Sequence, residues 1–128
     1  MPFFWFNLFV GLNVLLITLL AMNVSRLRIT QRVPHGEGDN VTVKKAIRAH
    51  GNGVEHTTVF GLAVLALQLS EAPAALLATL VLGFTAFRLV HAYGMLQSVF
   101  NARRVGAGVT YLAEIVAVVA VLIYGVMA

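Results

Sequence analysis

The chain alternates long apolar segments with short polar ones. Four segments are almost free of charged residues, at about residues 3–24, 54–69, 74–91 and 105–127. The first holds about 22 residues without a charge, and roughly 20 apolar residues in a helix suffice to cross the hydrocarbon core of a bilayer. The pattern therefore predicts four membrane-spanning helices in a single domain of residues 1–128.

The second apolar segment is too short to cross a bilayer alone, so we predict that it ends a longer helix. This helix would cover residues 41–69, because Asn40 precedes it as a candidate N-cap. At 1.5 Å per residue it would be roughly 43 Å long and would protrude from the bilayer. The protruding part would carry Lys44, Lys45 and Arg48.

The composition supports a membrane protein and excludes several kinds of chemistry. Apolar residues make up 59% of the chain and charged residues 11%, against roughly 25% charged residues in soluble domains. A domain of this size cannot bury so much apolar surface away from water. Since the chain has no cysteine, disulfides and cysteine nucleophiles are excluded, and any thiol must belong to a bound molecule.

The basic residues are distributed unevenly and predict an orientation. They lie after the first span (Arg26, Arg28, Arg32, Lys44, Lys45 and Arg48) and near the end of the third (Arg88, Arg103 and Arg104). Positive residues favour the cytoplasmic side, so both basic connections are predicted there and both termini outside. The net charge of +4 is therefore assigned to loops and not to nucleic-acid binding. The expected fold is an all-α, antiparallel, up-down four-helix bundle.

Three predicted helices carry polar side chains along one face, although an ionisable group in hydrocarbon is costly. They are Arg48, Asn52 and Glu55 on the second helix, Arg88 and His91 on the third, and Tyr111 and Glu114 on the fourth. A cavity between these faces would hold more positive than negative groups. Such a cavity would suit a small ligand that carries carboxylates.

A purely structural interpretation is also open. Glu55 could pair with Arg48 or Arg88 only to hold helices together, and Glu114 could be satisfied in the same way. His56 is expected to be a packing residue.

Metal chemistry is not predicted, because the histidine and acidic residues match no zinc-binding spacing. His50 is expected to lie at the membrane boundary. Gly106 and Gly108 are expected to allow close packing of helices instead of binding phosphate.

Several short motifs occur in order along the chain. They lie at residues 26–28, 46–55, 88–94, 103–104 and 109–111. Their order resembles the MAPEG family (membrane-associated proteins in eicosanoid and glutathione metabolism), in its small bacterial branch, and is similar to microsomal glutathione transferases. The resemblance covers the whole chain, and it implies a bacterial inner-membrane protein.

The resemblance further implies a homotrimer that binds glutathione between neighbouring subunits on the cytoplasmic side. The positions that match the family's glutathione site are Arg26, Arg48, Asn52, Glu55, His91 and Tyr111, with Arg88, Tyr93, Arg103 and Arg104 as further candidates. Arginines would bind the carboxylates of glutathione and Glu55 its ammonium group. Arg104 or Tyr111 would stabilise the thiolate and are the candidate catalytic residues.

The chain departs from the family pattern at positions that concern catalysis. Gly51 stands where many active members have arginine, and Met95 where the eicosanoid enzymes have tyrosine. Ala107 and Gly108 stand where prostaglandin E synthase has an arginine and a serine beside the thiol. A thiol with a pKa near about 8.5 needs a cation or a hydroxyl donor to become a thiolate.

Three functions follow as hypotheses. The first is a glutathione-dependent membrane enzyme that conjugates or reduces lipophilic electrophiles or hydroperoxides. The second is a membrane protein that binds glutathione or a lipid in the same cavity without catalysis. A small proton-coupled exporter is disfavoured, because the first span lacks an acidic residue and the charge bias is one-sided.

Overall fold

The computed structural model describes residues 2–128, and every regular element in that range is helical. The helices are α1 (Phe4–Thr30), α2 (Val41–Leu69), α3 (Ala74–Gln97) and α4 (Phe100–Val121), followed by a π-helical segment (Leu122–Met127). The predicted all-α class is confirmed.

Three helical stretches are long and apolar enough to cross a membrane. They are Phe4–Gln31, Ala74–Gln97 and Phe100–Met127. In the described part of the chain, α2 does not qualify on length and composition alone. Its first half carries Lys44, Lys45, Arg48 and Glu55, and only its second half is apolar.

Helix α2 begins where the sequence predicts. The side chain of Asn40 accepts a hydrogen bond from the backbone N–H of Val43 at 3.0 Å, as expected of an N-cap. The preceding loop is held by Arg28, whose guanidinium donates to the carbonyl oxygens of Val33 at 3.2 Å and Gly36 at 2.7 Å. These contacts fix the entry of the chain into α2.

Replacing Asn40 by alanine is expected to lower the free energy of unfolding by about 1 kcal/mol, because one N–H of the first turn loses its acceptor. Thermal unfolding in detergent micelles, followed by circular dichroism, measures the change. Asn101→Ala is the matched control, since Asn101 lies exposed within α4 and does not cap a helix. An equal effect of both changes would contradict a capping role for Asn40.

The other helices extend beyond the predicted membrane spans. Helix α1 continues past Val24, α3 continues past His91, and α4 begins before Val105. An apolar segment indicates only the part of a helix that lies in the hydrocarbon core of the bilayer. The helix itself extends as far as its backbone hydrogen bonds continue, which includes polar residues beyond that segment. Leu27, beyond the apolar segment, is buried in a cluster with Val43.

The connection between α3 and α4 is much tighter than predicted. Ser98 adopts a left-handed conformation with φ of 56°, and the N–H of Val99 donates to the carbonyl of Gly94 at 3.0 Å. A residue in this conformation ends a helix and lets the chain turn at once. Arg103 and Arg104 therefore lie in the first turns of α4 and not in a loop.

The core of the structure is aromatic where α1, α2 and α3 meet. The rings of Phe60 and Phe84 stack with centroids 4.0 Å apart, and Phe9 packs against both. Asn13 of α1 donates to Thr85 of α3 at 2.9 Å within this region. Helix α4 packs against α2 and α3, and within residues 2–128 it does not contact α1.

Two glycines allow α3 and α4 to approach closely. A Cβ atom on Gly106 would lie 2.6 Å from the Cβ of His91, and one on Gly94 would overlap the backbone nitrogen of Arg103. Small residues permit such contacts between membrane helices. The expectation for Gly106 is thus confirmed. The expectation for Gly108 is wrong, because nothing lies within 4 Å of its Cβ position.

Candidate functional site

One open cleft collects most of the predicted site residues. It has a volume of about 680 Å³ and lies between α2, α3 and α4. The predicted residues that line it are Arg48, Asn52, His91, Arg103, Arg104 and Tyr111. The remaining walls are formed by Met95, Phe100, Ala107 and Gly108.

Four predicted site residues do not line this cleft. Arg26 is exposed near the end of α1 and donates to the side chain of Asn23 at 2.9 Å. Glu55 and Tyr93 are exposed on α2 and α3, and Arg88 is buried. A single chain therefore assembles only part of the predicted set around one cleft.

Arg88 lies behind the cleft and not in it. Its side chain is only 2% exposed, and its guanidinium donates to Asn52 Oδ1 at 2.6 Å and to Thr110 Oγ1 at 3.4 Å. It also lies 3.2 Å from Nδ1 of His91. In residues 2–128 it forms no salt bridge, so neutral groups satisfy the buried charge. Arg88 thereby joins α2, α3 and α4 at the floor of the site.

These contacts determine what the cleft offers to a ligand. Because the guanidinium of Arg88 can only donate, Nδ1 of His91 must accept, and a neutral ring then carries its hydrogen on Nε2. The carbonyl oxygen of the Asn52 side chain is likewise occupied by Arg88, which leaves its NH₂ group for a ligand. With these acceptor atoms occupied by Arg88, Asn52 and His91 can offer only their N–H groups to a ligand.

The cleft is positively charged. Arg48, Arg103 and Arg104 contribute guanidinium groups, and of the described residues no carboxylate lines the cleft. The guanidinium of Arg103 lies 5.8 Å from the ring centroid of Phe100, within the range of a cation–π contact. This combination favours an anionic ligand with several acceptor groups.

Of the four residues that depart from the family pattern, all except Gly51 also lie in this cleft. Met95, Ala107 and Gly108 form part of its wall and contribute neither a cation nor a hydroxyl group. The remaining groups that could stabilise a thiolate are the arginines and Tyr111, whose side chain is 55% exposed. The sequence analysis did not identify Phe100 as a cleft residue, because the fourth span was predicted to begin after it.

A contact between a histidine and a carboxylate joins α2 and α4 next to the cleft. Nδ1 of His56 is 2.6 Å from a carboxylate oxygen of Glu114, and both side chains are about one-fifth exposed. His56, expected to be a packing residue, contacts Glu114, and Glu114 thereby has a partner as the structural interpretation expected. Glu55 has no salt bridge to Arg48 or Arg88 within residues 2–128.

An apolar groove of about 470 Å³ adjoins the polar cleft. It is lined by Val59, Tyr111, Glu114, Ile115, Val118 and Val119. Tyr111 belongs to both the groove and the cleft. The molecule therefore places a polar cationic site beside an apolar one, with a phenol at their border.

Comparisons with known proteins agree with the motif order in the sequence. The MAPEG family model matches residues 6–123. Two similar proteins are the inner membrane protein YecN of Escherichia coli strain K12 and that of Escherichia coli O6:H1. Each is 32% identical over 117 residues, covering 91% of this chain and 89% of the relative. No solved structure matches the chain significantly.

Proposed function

Because the chain belongs to the MAPEG family, we propose that it is a glutathione-dependent enzyme of the bacterial inner membrane. It conjugates or reduces lipophilic electrophiles or hydroperoxides that partition into the bilayer. Glutathione binds in the polar cleft, and the lipophilic partner reaches the thiol from the membrane.

The observation that carries this proposal is the set of donors around the cleft. Three guanidinium groups and the NH₂ group of Asn52 face a common space that no carboxylate of the described residues lines. Glutathione has two carboxylates, two amide carbonyls and a thiol, so its acceptor groups match these donors. A hydrogen bond between two charged groups is roughly twice as strong as a neutral one.

Each cleft residue has a distinct part in this proposal. Arg48 and Arg103 bind the carboxylates, and Asn52 orients an amide of the peptide. Arg104 or Tyr111 stabilises the thiolate as it attacks the apolar partner. Positive charge close to sulfur favours the thiolate, which is the reactive form.

The homotrimer is part of the same proposal. Glu55 and Arg26 are exposed and lie outside the cleft of their own chain. In a trimer, they can therefore contact glutathione that is bound in the cleft of a neighbouring subunit. Glu55 would then bind the ammonium group. The helices run antiparallel, with the basic ends in the cytoplasm and both termini outside. Native mass spectrometry in detergent tests the subunit number.

Replacing Arg48 by alanine is expected to weaken glutathione binding by a factor of at least about 10, since a charge-assisted hydrogen bond is worth about 1.5–3 kcal/mol. Isothermal titration calorimetry on the purified protein measures the dissociation constant. Lys44→Ala is the matched control, because it removes a positive charge from the same helix outside the cleft. Equal weakening by both changes would mean that only overall charge attracts glutathione.

Turnover is tested with purified protein saturated with glutathione. The substrates are 1-chloro-2,4-dinitrobenzene for conjugation and cumene hydroperoxide for reduction. The proposal expects rates above the uncatalysed reaction for at least one of them. If glutathione binds and neither rate rises, the enzymatic part of the proposal is wrong.

A second function is favoured by one feature of the cleft. Ala107 and Gly108 form its wall at the positions where prostaglandin E synthase has an arginine and a serine, so fewer groups are present to activate a thiol. The chain would then bind glutathione or a lipid without chemistry. Calorimetric binding that is lost in Arg48→Ala, together with no turnover, would decide for this function.

A further inference from the structure

We propose that a small cationic cavity beside the polar cleft binds the phosphate group of an anionic phospholipid. Lys45 and Arg103 supply its positive charges, and the hydroxyl group of Ser98 is a further candidate donor. The inference does not depend on the proposed enzyme, because it assigns a lipid of the surrounding bilayer to a different cavity.

The size of the cavity limits what it can hold. Its volume is about 170 Å³, whereas pockets for drug-sized ligands measure roughly 300–1,000 Å³. A tripeptide does not fit, but a single polar group such as phosphate does, since a water molecule in the liquid occupies about 30 Å³. The walls are formed by Lys45, Gly94, Met95, Ser98, Phe100 and Arg103. Lys45, Gly94 and Ser98 do not line the polar cleft, which distinguishes the two cavities.

The positive charge of the cavity is not neutralised by the protein. Lys45 is half-buried, and within residues 2–128 neither Lys45 nor Arg103 forms a salt bridge. Of the described residues, no carboxylate lines the cavity. An anion between these two side chains would receive charge-assisted hydrogen bonds from both, which are roughly twice as strong as neutral ones. The cavity therefore favours an anion with several acceptor oxygens, such as a phosphate group.

The start of α4 adds to this positive potential. Ser98 and Phe100, on either side of the N-cap residue Val99, both line the cavity. The side chain of Val99 offers no acceptor to the N–H groups of the first turn. These groups carry partial positive charge and stabilise anions at the N-terminus of a helix. The helix end thus supports a site that the two cationic side chains already define.

The depth of the cavity in the membrane favours a lipid as the source of the phosphate. One apolar membrane-crossing stretch ends at Gln97 and the next begins at Phe100, so Ser98 lies between them. Lipid headgroups lie at this depth, at the boundary of the hydrocarbon core. The side chain of Phe100 is 62% exposed, so an apolar surface adjoins the cations. An acyl chain can cover this surface while its headgroup enters the cavity, as in other basic pockets between membrane helices.

Native mass spectrometry of the full-length protein in detergent tests the inference, because it counts bound lipid molecules during a titration. The probes are dioleoyl phosphatidylglycerol, which is anionic, and dioleoyl phosphatidylcholine, which has the same acyl chains and an additional cation. Phosphatidylglycerol is expected to bind at least about tenfold more tightly, because Lys45 and Arg103 repel the choline group.

Two neighbouring lysines provide a variant and its matched control. Lys45→Gln is expected to weaken binding of phosphatidylglycerol at least about tenfold, since one charge-assisted hydrogen bond is lost. Lys45→Arg keeps the charge and is expected to retain most of the binding. Lys44→Gln removes the same charge from α2, but Lys44 lies 3.9 Å from Glu37 and does not line the cavity. This control is expected to bind the lipid as the unmodified chain does. Circular dichroism verifies that each variant keeps its helical spectrum.

Two competitors test the source of the phosphate and the identity of the cavity. Glycerophosphoglycerol is the same headgroup without acyl chains and is expected not to displace the lipid at equal concentration. Reduced glutathione is expected to leave the lipid bound, because Lys45 and Ser98 lie outside the polar cleft. Arg103 borders both cavities, and its five N–H donors suffice for two anions.

Each contrary result overturns the inference. Equal binding of both lipids, or equal weakening by Lys44→Gln and Lys45→Gln, would mean that only overall charge attracts lipids. Displacement by glycerophosphoglycerol at equal concentration would make the cavity a site for a soluble phosphate compound. Complete displacement by glutathione would make the cavity a part of the cleft. None of these results concerns turnover, so the proposed enzyme is tested separately.

Discussion

Replacing Arg88 by methionine is expected to abolish measurable glutathione binding and to lower the free energy of unfolding by about 3 kcal/mol, because its buried hydrogen-bond partners are left unsatisfied. The guanidinium is buried and contacts Asn52, His91 and Thr110 on three different helices. Methionine fills similar space and donates no hydrogen bond. Asn52 and His91 would then lose the partner that sets them as donors toward the cleft.

Calorimetry and thermal unfolding by circular dichroism measure the two effects separately. Binding is measured well below the unfolding transition, where the variant retains its helical spectrum, so loss of binding is not confused with loss of fold. Arg88→Lys keeps the charge without the planar fork and is expected to fall between the methionine variant and the native chain. Arg32→Met is the control, because Arg32 is exposed and lies outside the cleft. Native-like binding by Arg88→Met would show that Arg88 does not organise the site.

Replacing Gly106 by alanine is expected to lower the free energy of unfolding by about 2–3 kcal/mol, in the upper range of overpacking. The added Cβ would lie 2.7 Å from the backbone of His91, which cannot rotate away as a side-chain end could. Helices α3 and α4 would have to separate, and His91 would move relative to the cleft. Weaker glutathione binding is therefore expected to accompany the loss of stability.

Gly83→Ala is the matched control for this change. Nothing lies within 4 Å of a Cβ atom on Gly83, which is also in a helix. Alanine is favoured over glycine in helices, so this variant is expected to gain up to about 1 kcal/mol. Thermal unfolding in the same detergent compares both variants. A stabilising effect of Gly106→Ala would contradict the close contact between α3 and α4.

The sequence predicted those features of the fold that depend on neighbouring residues. Asn40 indicated the start of α2, because capping involves groups only a few residues apart. The parts of the helices beyond the apolar segments were not predicted. The length of an apolar segment reflects the thickness of the hydrocarbon core and not the number of residues that are helical. For that reason Arg103 and Arg104 were assigned to a loop, although they lie in α4.

The candidate site was predicted in part. The cleft residues Arg48, Asn52 and His91 could be grouped, because spacing along a helix shows which side chains share a face. The pair of His56 and Glu114 could not, since these residues are 58 positions apart and no local pattern links them. Their contact depends on how α2 and α4 are rotated against each other.

The sequence by itself determined a helical membrane protein with an excess of donors for an anion, because these properties follow from composition and helical spacing. Only the tertiary structure decided that Arg88 is buried behind the cleft while Arg48 lies in it. It also decided that Glu55 lies outside the cleft of its own chain. The physical reason is that such placements depend on the distance and rotation between helices. At Gly94 and Gly106, the lack of a side chain allows α3 and α4 to approach closely. The sequence alone does not show this, because the contact exists only once the two helices are packed together.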